Sequence, residues 1–192
     1  MSDRLTLREL VCVAALGYEQ SSARAWDNLI NEDGTLIARG KADDTLIDFI
    51  ILKLHDIYDS AASRSAQVDQ AIRAMELARD QLSRVDIALL LAEEVPSTQR
   101  DLVKLSCCAY DPDEPDAWDD VFGEDGTLIS DFDEVLNRDT LEEFIVKELS
   151  TFVESGPETN AVVQIDDVRR ALGHAQDELS RVIYAFSDLI KL

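Results

Sequence analysis

The stretch "AWDNLINEDGTLI" (residues 25–37) returns as "AWDDVFGEDGTLI" at residues 117–129, with nine of thirteen positions identical. Further matches extend outward from this phrase in both directions. Upstream, "RELVCVAALGY" from Arg8 aligns with "RDLVKLSCCAY" from Arg100. Downstream, "TLIDFI" from Thr45 aligns with "TLEEFI" from Thr140, and "DQLSRV" at 80–85 with "DELSRV" at 177–182. The offset between matching residues grows from 92 to 95 to 97 along the chain, as small insertions in connecting loops would make it. A period of this size is too long for a solenoid of 20–50-residue repeats. The pattern predicts a tandem duplication of one roughly 95-residue unit, with unit 1 at 1–95 and unit 2 at 96–192.

Each unit reads as mainly helical. Leu7, Leu10, Val11 and Ala14 recur at helical spacing, as do Leu102, Val103 and Ser106. A short helix carrying Trp26 or Trp118 is predicted next, starting near Ser21 or Ser22 and near Asp113. Asp-Gly then signals a turn, and the following Thr-Leu-Ile suits a short strand. Asp44 and Asp139 are placed to cap a helix running to about Asp59 or Glu154. A long last helix is predicted over about 65–94 and 160–191. Its apolar stripe is Val68, Ile72, Met75, Leu82, Val85 and Leu89 in one copy, and Val168, Leu172, Leu179, Val182, Phe186 and Leu189 in the other. The fold class expected is therefore all-α, with a short strand per unit, and both tryptophans are expected in the core.

Composition narrows the function classes. The 192 residues are 46% hydrophobic with few Pro and Gly, which describes a folded chain, yet the formal net charge is −22. A field of that sign repels nucleic acid and anionic membrane and attracts basic proteins. Three cysteines, Cys12 and the vicinal Cys107 and Cys108, do not make a disulfide framework, and the reducing cytosol fits them best. The apolar "LVCVAALG" near the start has a counterpart in mid-chain, which makes it part of the fold and not a leader; no apolar run reaches bilayer-spanning length.

The motifs of the chain do not match catalytic or metal-binding patterns. "NEDGTLI" resembles part of an EF-hand loop, but counting from Gly34 and Gly126 puts Leu29 or Val121 at the first ligand position and Gly40 or Phe132 at the last. Calcium needs oxygen ligands there, so the glycine serves only the turn. His55 and His174 occupy unrelated positions, and Cys107–Cys108 lacks a second thiol pair at zinc spacing. No phosphate loop, nucleophile elbow or HExxH is present. The expectation is a protein without catalytic residues, metal or cofactor.

The distribution of charge is more informative. Residues 1–96 hold 17 acids against 10 bases, and residues 97–192 hold 23 against 8. Eleven acids and no base fall within 111–134, where the corresponding stretch 19–42 has four acids and three bases. Those eleven are Asp111, Asp113, Glu114, Asp116, Asp119, Asp120, Glu124, Asp125, Asp131, Asp133 and Glu134, and they form the candidate partner-binding surface. Adaptation to high salt is the competing explanation, since Asp exceeds Glu by 25 to 15 and Arg exceeds Lys by 13 to 5. That pressure acts on a whole surface, whereas these acids concentrate in one segment.

The order of elements in 7–62, "LRELVCVAALGYEQ…AWDNLINEDGTLI…DDTLIDFIILKLHDIYDSAA", repeated over 99–157, resembles the small phage anti-restriction DNA-mimic proteins of the Ocr-like kind. That resemblance implies a non-enzymatic inhibitor whose carboxylates occupy the basic groove of a nucleic-acid-binding protein in place of DNA phosphates. Proteins of that kind act as dimers of one unit, so the resemblance implies that a fused pair is their covalent equivalent. The charge speaks against direct binding of nucleic acid or membrane, the cysteines fit a cytoplasmic protein, and a homodimer of this chain stays open. The chain departs from the pattern in its mildly acidic first half and in Arg169, Arg170 and Arg181 on the last helix. A second expectation uses the same electrostatics in a compact patch: an immunity-type protein that neutralises a basic protein partner.

Overall fold

The computed structural model describes residues 4–18, 26, 29–31, 45–92, 98–123, 129, 140–150 and 161–190. Regular structure among them is helical, as the sequence periodicity requires: α1 (Leu7–Tyr18), α2 (Thr45–Ser60), α3 (Arg64–Leu91), α4 (Gln99–Tyr110), α5 (Thr140–Ser150) and α6 (Ala161–Ile190), with one 3-10 turn at Asp119–Val121. By contact density the chain divides into two compact units. One joins Met1–Arg79 to Asp177–Leu192, and the other is Asp80–Gln176. The division thus falls inside both long helices, between Arg79 and Asp80 in α3 and between Gln176 and Asp177 in α6.

In the first unit, Thr6 starts α1. Its backbone N–H and hydroxyl both reach Glu9 Oε2, at 2.7 and 2.8 Å, while the Glu9 N–H donates to Thr6 Oγ1 at 3.3 Å. This reciprocal capping box satisfies N–H groups that a helix start leaves open. Leu7, Leu10, Val11, Ala14 and Ala15 form the buried stripe of α1, which packs on α2 through Leu46, Phe49, Ile50 and Leu54. Near its end α1 comes against the backbone of α6: a Cβ on Gly17 would lie 2.8 Å from the Arg181 carbonyl oxygen and 2.8 Å from Val182 Cα. Only a residue without a side chain allows that approach. Val68, Ala71, Met75 and Ala78 of α3 and Leu179, Val182, Ile183 and Phe186 of α6 complete the core.

The approach to α1 is fixed by one buried amide. Gln67 Oε1 accepts from the Leu5 N–H at 2.8 Å and its Nε2 donates to the Leu5 carbonyl at 3.0 Å, so both polar ends of a side chain with no exposure are used. Arg4 donates to the Tyr58 carbonyl and stacks over the Tyr58 ring at 5.3 Å. Trp26, buried as expected, meets Tyr18 edge-on at 5.3 Å.

The second unit is capped similarly. Thr98 Oγ1 accepts from the Asp101 N–H at 3.1 Å and donates to its carboxylate at 2.7 Å, opening α4. Leu102, Val103, Ser106 and Cys107 are buried on α4, which packs on α5 through Leu141, Phe144, Ile145 and Leu149. Leu82, Val85 and Leu89 of α3 and Ile165, Val168, Leu172 and Ala175 of α6 add their stripes. Where these helices face each other, Arg169 Nε donates to Asp86 Oδ1 at 2.9 Å, with both side chains about three-quarters buried.

Two expectations are corrected. The short helix expected from about Asp113 is instead a run of turns ending in the 3-10 turn Asp119–Val121. Its backbone bonds span three residues (Ala117 N–H to Glu114, Asp119 to Asp116, Val121 to Trp118), the spacing of turns and 3-10 helix and not of an α-helix. The strand expected after the Asp-Gly turn is not found among the described residues. Ile129 donates one backbone bond to Val121 at 2.9 Å, and Ile30 and Phe122 are isolated bridge residues, so no ladder of bonds builds a strand. The rest of both "GTLI" segments, the helix start expected near Ser21 or Ser22, and the caps expected at Asp44 and Asp139 lie outside the described residues. No described helix is long and apolar enough to cross a membrane.

Candidate functional site

The described half of the acidic segment is the run of turns that follows α4. Its frame is apolar. Trp118 is buried and meets the Tyr110 ring at a 44° tilt with centroids 5.3 Å apart, and Val121 is fully buried. The Cys107 thiol donates to the Glu114 carbonyl at 3.5 Å and the Cys108 thiol to the Pro115 carbonyl at 3.8 Å. The vicinal cysteines thus tie the middle of the acidic turns back to α4. Burial pushes the Cys107 thiol above its ordinary range, which keeps it protonated in this role.

On this frame the six described acids have different positions. Asp111 ends α4: its N–H donates to the Cys107 carbonyl at 2.9 Å and its Oδ1 accepts from the Asp113 N–H at 3.0 Å. Half-buried and engaged with backbone, it holds the turn. Asp116 pairs with Lys104 Nζ at 3.1 Å, and this hydrogen bond, with the nearby Asp116 and Asp119 charges, holds the lysine above its ordinary range. Asp113, Glu114 and Asp120 are exposed, and Asp119 is half-buried. Glu124, Asp125, Asp131, Asp133 and Glu134 lie outside the described residues.

The turns therefore bring Asp111, Asp113, Glu114, Asp116, Asp119 and Asp120 into one short surface segment, where Asp111 has a structural task and Asp116 a counterion. The sequence reading missed Lys104. It lies twelve positions before Asp116, and only the reversal of the chain at Asp111–Pro115 brings them together. The role of Asp111 had a visible signal, because Asp-Pro-Asp is a turn-forming sequence. Arg100, the other nearby cation on α4, lies over the Phe122 ring at 5.7 Å.

Among the described residues no group of three or more His, Cys, Asp or Glu is arranged to hold a metal ion. His55 sits 3.4 Å from Asp59 one helical turn on, a surface pair on α2. Comparison of the chain with family models, with curated proteins and with solved structures finds no match.

Proposed function

We propose that this protein is a non-enzymatic acidic ligand for a basic protein, and that the turns after α4 are its contact surface. The observation that carries the reading is the exposure of Asp113, Glu114, Asp116 and Asp120 within eight residues on a rigid frame, opposed locally by Lys104. Fixed carboxylates on a packed scaffold need no ordering on binding, and they raise the rate of encounter with a positive surface. The preferred mechanism is DNA mimicry of the anti-restriction type, in a cytoplasmic protein that inhibits a nucleic-acid-binding protein. The acidic bias of residues 97–192 supports it. The compactness of the described patch favours a second reading, an immunity-type protein for one basic partner.

The architecture we propose is a tandem duplication of a helical unit. Matched local contacts support it. The Thr6–Glu9 cap corresponds to Thr98–Asp101, and Tyr18–Trp26 to Tyr110–Trp118, both at 5.3 Å. The Leu29 N–H to Trp26 bond (3.0 Å) corresponds to the Val121 N–H to Trp118 bond (3.2 Å).

A pull-down from cell lysate tests the function. At about 50 mM salt, where screening is incomplete over some 10–30 Å, charge-driven complexes survive. The immobilised protein is eluted first with duplex DNA and then with salt. Release of a nucleic-acid-binding protein by DNA supports mimicry, and a basic protein indifferent to DNA supports the second reading. The variant Asp113→Asn, Glu114→Gln, Asp120→Asn omits the structural Asp111 and the paired Asp116. Undiminished capture by that variant refutes the assignment of this surface.

A further inference from the structure

The two long helices carry nearly the same sequence at their centres, "DQLSRV" in α3 and "DELSRV" in α6. Two such helices create an ambiguity: each resembles the other closely enough that α3 could pair with α3 of a second chain, and α6 with a second α6. One contact breaks the ambiguity. Arg169 of α6 reaches Asp86 of α3 at 2.9 Å, with 25% and 26% of the side chains exposed, and Arg169 also lies 3.5 Å from Asp166. At the offset of 97 that relates the two helices, Asp86 corresponds to Ile183 and Arg169 to Ile72. Ile183 is buried and Ile72 half-buried, both within the first unit. The sequence alignment thus sets two isoleucines of the first unit at the positions that correspond to the ion pair of the second.

We propose that these four residues form a pairing code that directs α3 to α6 and rejects a second copy of this chain as helix partner. The inference rests on the duplication proposed above, not on the acidic surface. With α3 against α6, Asp86 meets Arg169, and the alignment sets Ile72 opposite Ile183. With α3 against a second α3, Ile72 meets Asp86 twice, and with α6 against a second α6, Arg169 meets Ile183 twice. An α3–α3 pairing therefore strands two Asp86 carboxylates against apolar side chains in partly desolvated positions, and an α6–α6 pairing leaves each Arg169 only Asp166 of its own helix. Removing one partner of a buried ion pair is strongly unfavourable, and here the effect falls only on the wrong assembly. The same device, one polar position in an otherwise apolar seam, selects partners in coiled coils.

The test rearranges the code and reads self-association by sedimentation after refolding from denaturant. In Ile72→Arg with Arg169→Ile, α3 becomes self-complementary through Arg and Asp, α6 becomes self-complementary through Ile, and the α3–α6 pairing is mismatched. This variant should dimerise at least about a hundredfold more tightly than the wild type, as expected when stranded buried charges are relieved. Charge reversal, Asp86→Arg with Arg169→Asp, keeps the code and should stay monomeric. If the rearranged variant does not fold, Asp86→Ile with Arg169→Ile makes all four positions alike and should form dimers as concentration rises. A wild type already dimeric under these conditions overturns the proposal, and so does a folded rearranged or all-isoleucine variant that stays monomeric. A double-mutant cycle on Ile72→Ala and Ile183→Ala separates the underlying assumption. Absent coupling means the alignment of the two helices is wrong. Coupling without any change in assembly means that only the pairing code is wrong.

Discussion

Two helical glycines should respond in opposite directions to the same substitution. In solvent-exposed helix, alanine is favoured over glycine by about 0.8–1 kcal/mol because it loses less backbone entropy. Gly173 in α6 has nothing within 4 Å of the position a Cβ would take, so Gly173→Ala should gain most of that amount. At Gly17 the new methyl would sit 2.8 Å from the Arg181 carbonyl oxygen and Val182 Cα, and 3.0 Å from the Val182 nitrogen. All three are backbone atoms, and no side chain can rotate away. Ordinary contact is several tenths of an ångström longer, so α1 and α6 must separate along their length. Overpacking of this kind costs about 1–3 kcal/mol, against a propensity gain of less than 1 kcal/mol so near the end of α1. Gly17→Ala should therefore lose a net of about 1–2 kcal/mol. Urea titration followed by tryptophan fluorescence measures both variants, and at this chain length each kcal/mol shifts Tm by about 2–4 °C. A Gly17→Ala protein as stable as the wild type would refute the close approach of α1 to α6.

Other outcomes follow from single contacts. The Thr6 N–H and hydroxyl bonds hold the Glu9 carboxyl below its ordinary range, so its contribution is present above the unfolded-state pKa and lost as pH falls through the lowered folded value. Glu9→Gln should flatten that part of the acid limb in a stability–pH profile, and Thr6→Ala should cost about 1 kcal/mol by loss of the cap. Gln67→Ala should cost about 2 kcal/mol by stranding the Leu5 N–H and carbonyl, and hydrogen exchange at Leu5 should quicken. Cys107, buried with its thiol held protonated, should alkylate more slowly than Cys12 or Cys108 in the native protein, a difference that vanishes in denaturant.

Much of the helical scaffold was legible because apolar periodicity reports directly on burial. The stripes Val68–Met75–Leu82–Val85–Leu89 and Val168–Leu172–Leu179–Val182–Phe186 are buried at the positions expected, and both tryptophans are in the core. Ile72 and Leu189, counted with them, are only half-buried, at the margins of their stripes. The segment after α4, expected as a short helix carrying Trp118, is a run of turns. There the backbone closes successive three-residue bonds instead of the four-residue bonds of an α-helix. The strand was inferred from a turn and three residues of strand propensity, but a strand exists only with a partner, and partners are not written locally. The acids of the candidate surface were visible individually. Their division into the structural Asp111, the paired Asp116 and the exposed Asp113, Glu114 and Asp120 depends on a chain reversal that no periodicity encodes.

The unit that begins with α1 takes its closing piece from residues 177–192. On the ribosome, that piece is made only after the whole of 80–176 has been synthesised. At common rates of elongation the delay is about 5–20 s, long compared with the folding of small helical domains. Throughout it, the bare backbone at Gly17 waits for Arg181 and Val182. The other unit is contiguous in sequence and needs no later segment. A released chain truncated before Asp177 should therefore contain a protease-resistant 80–176 core beside an open first unit, and α6 is the piece that closes it.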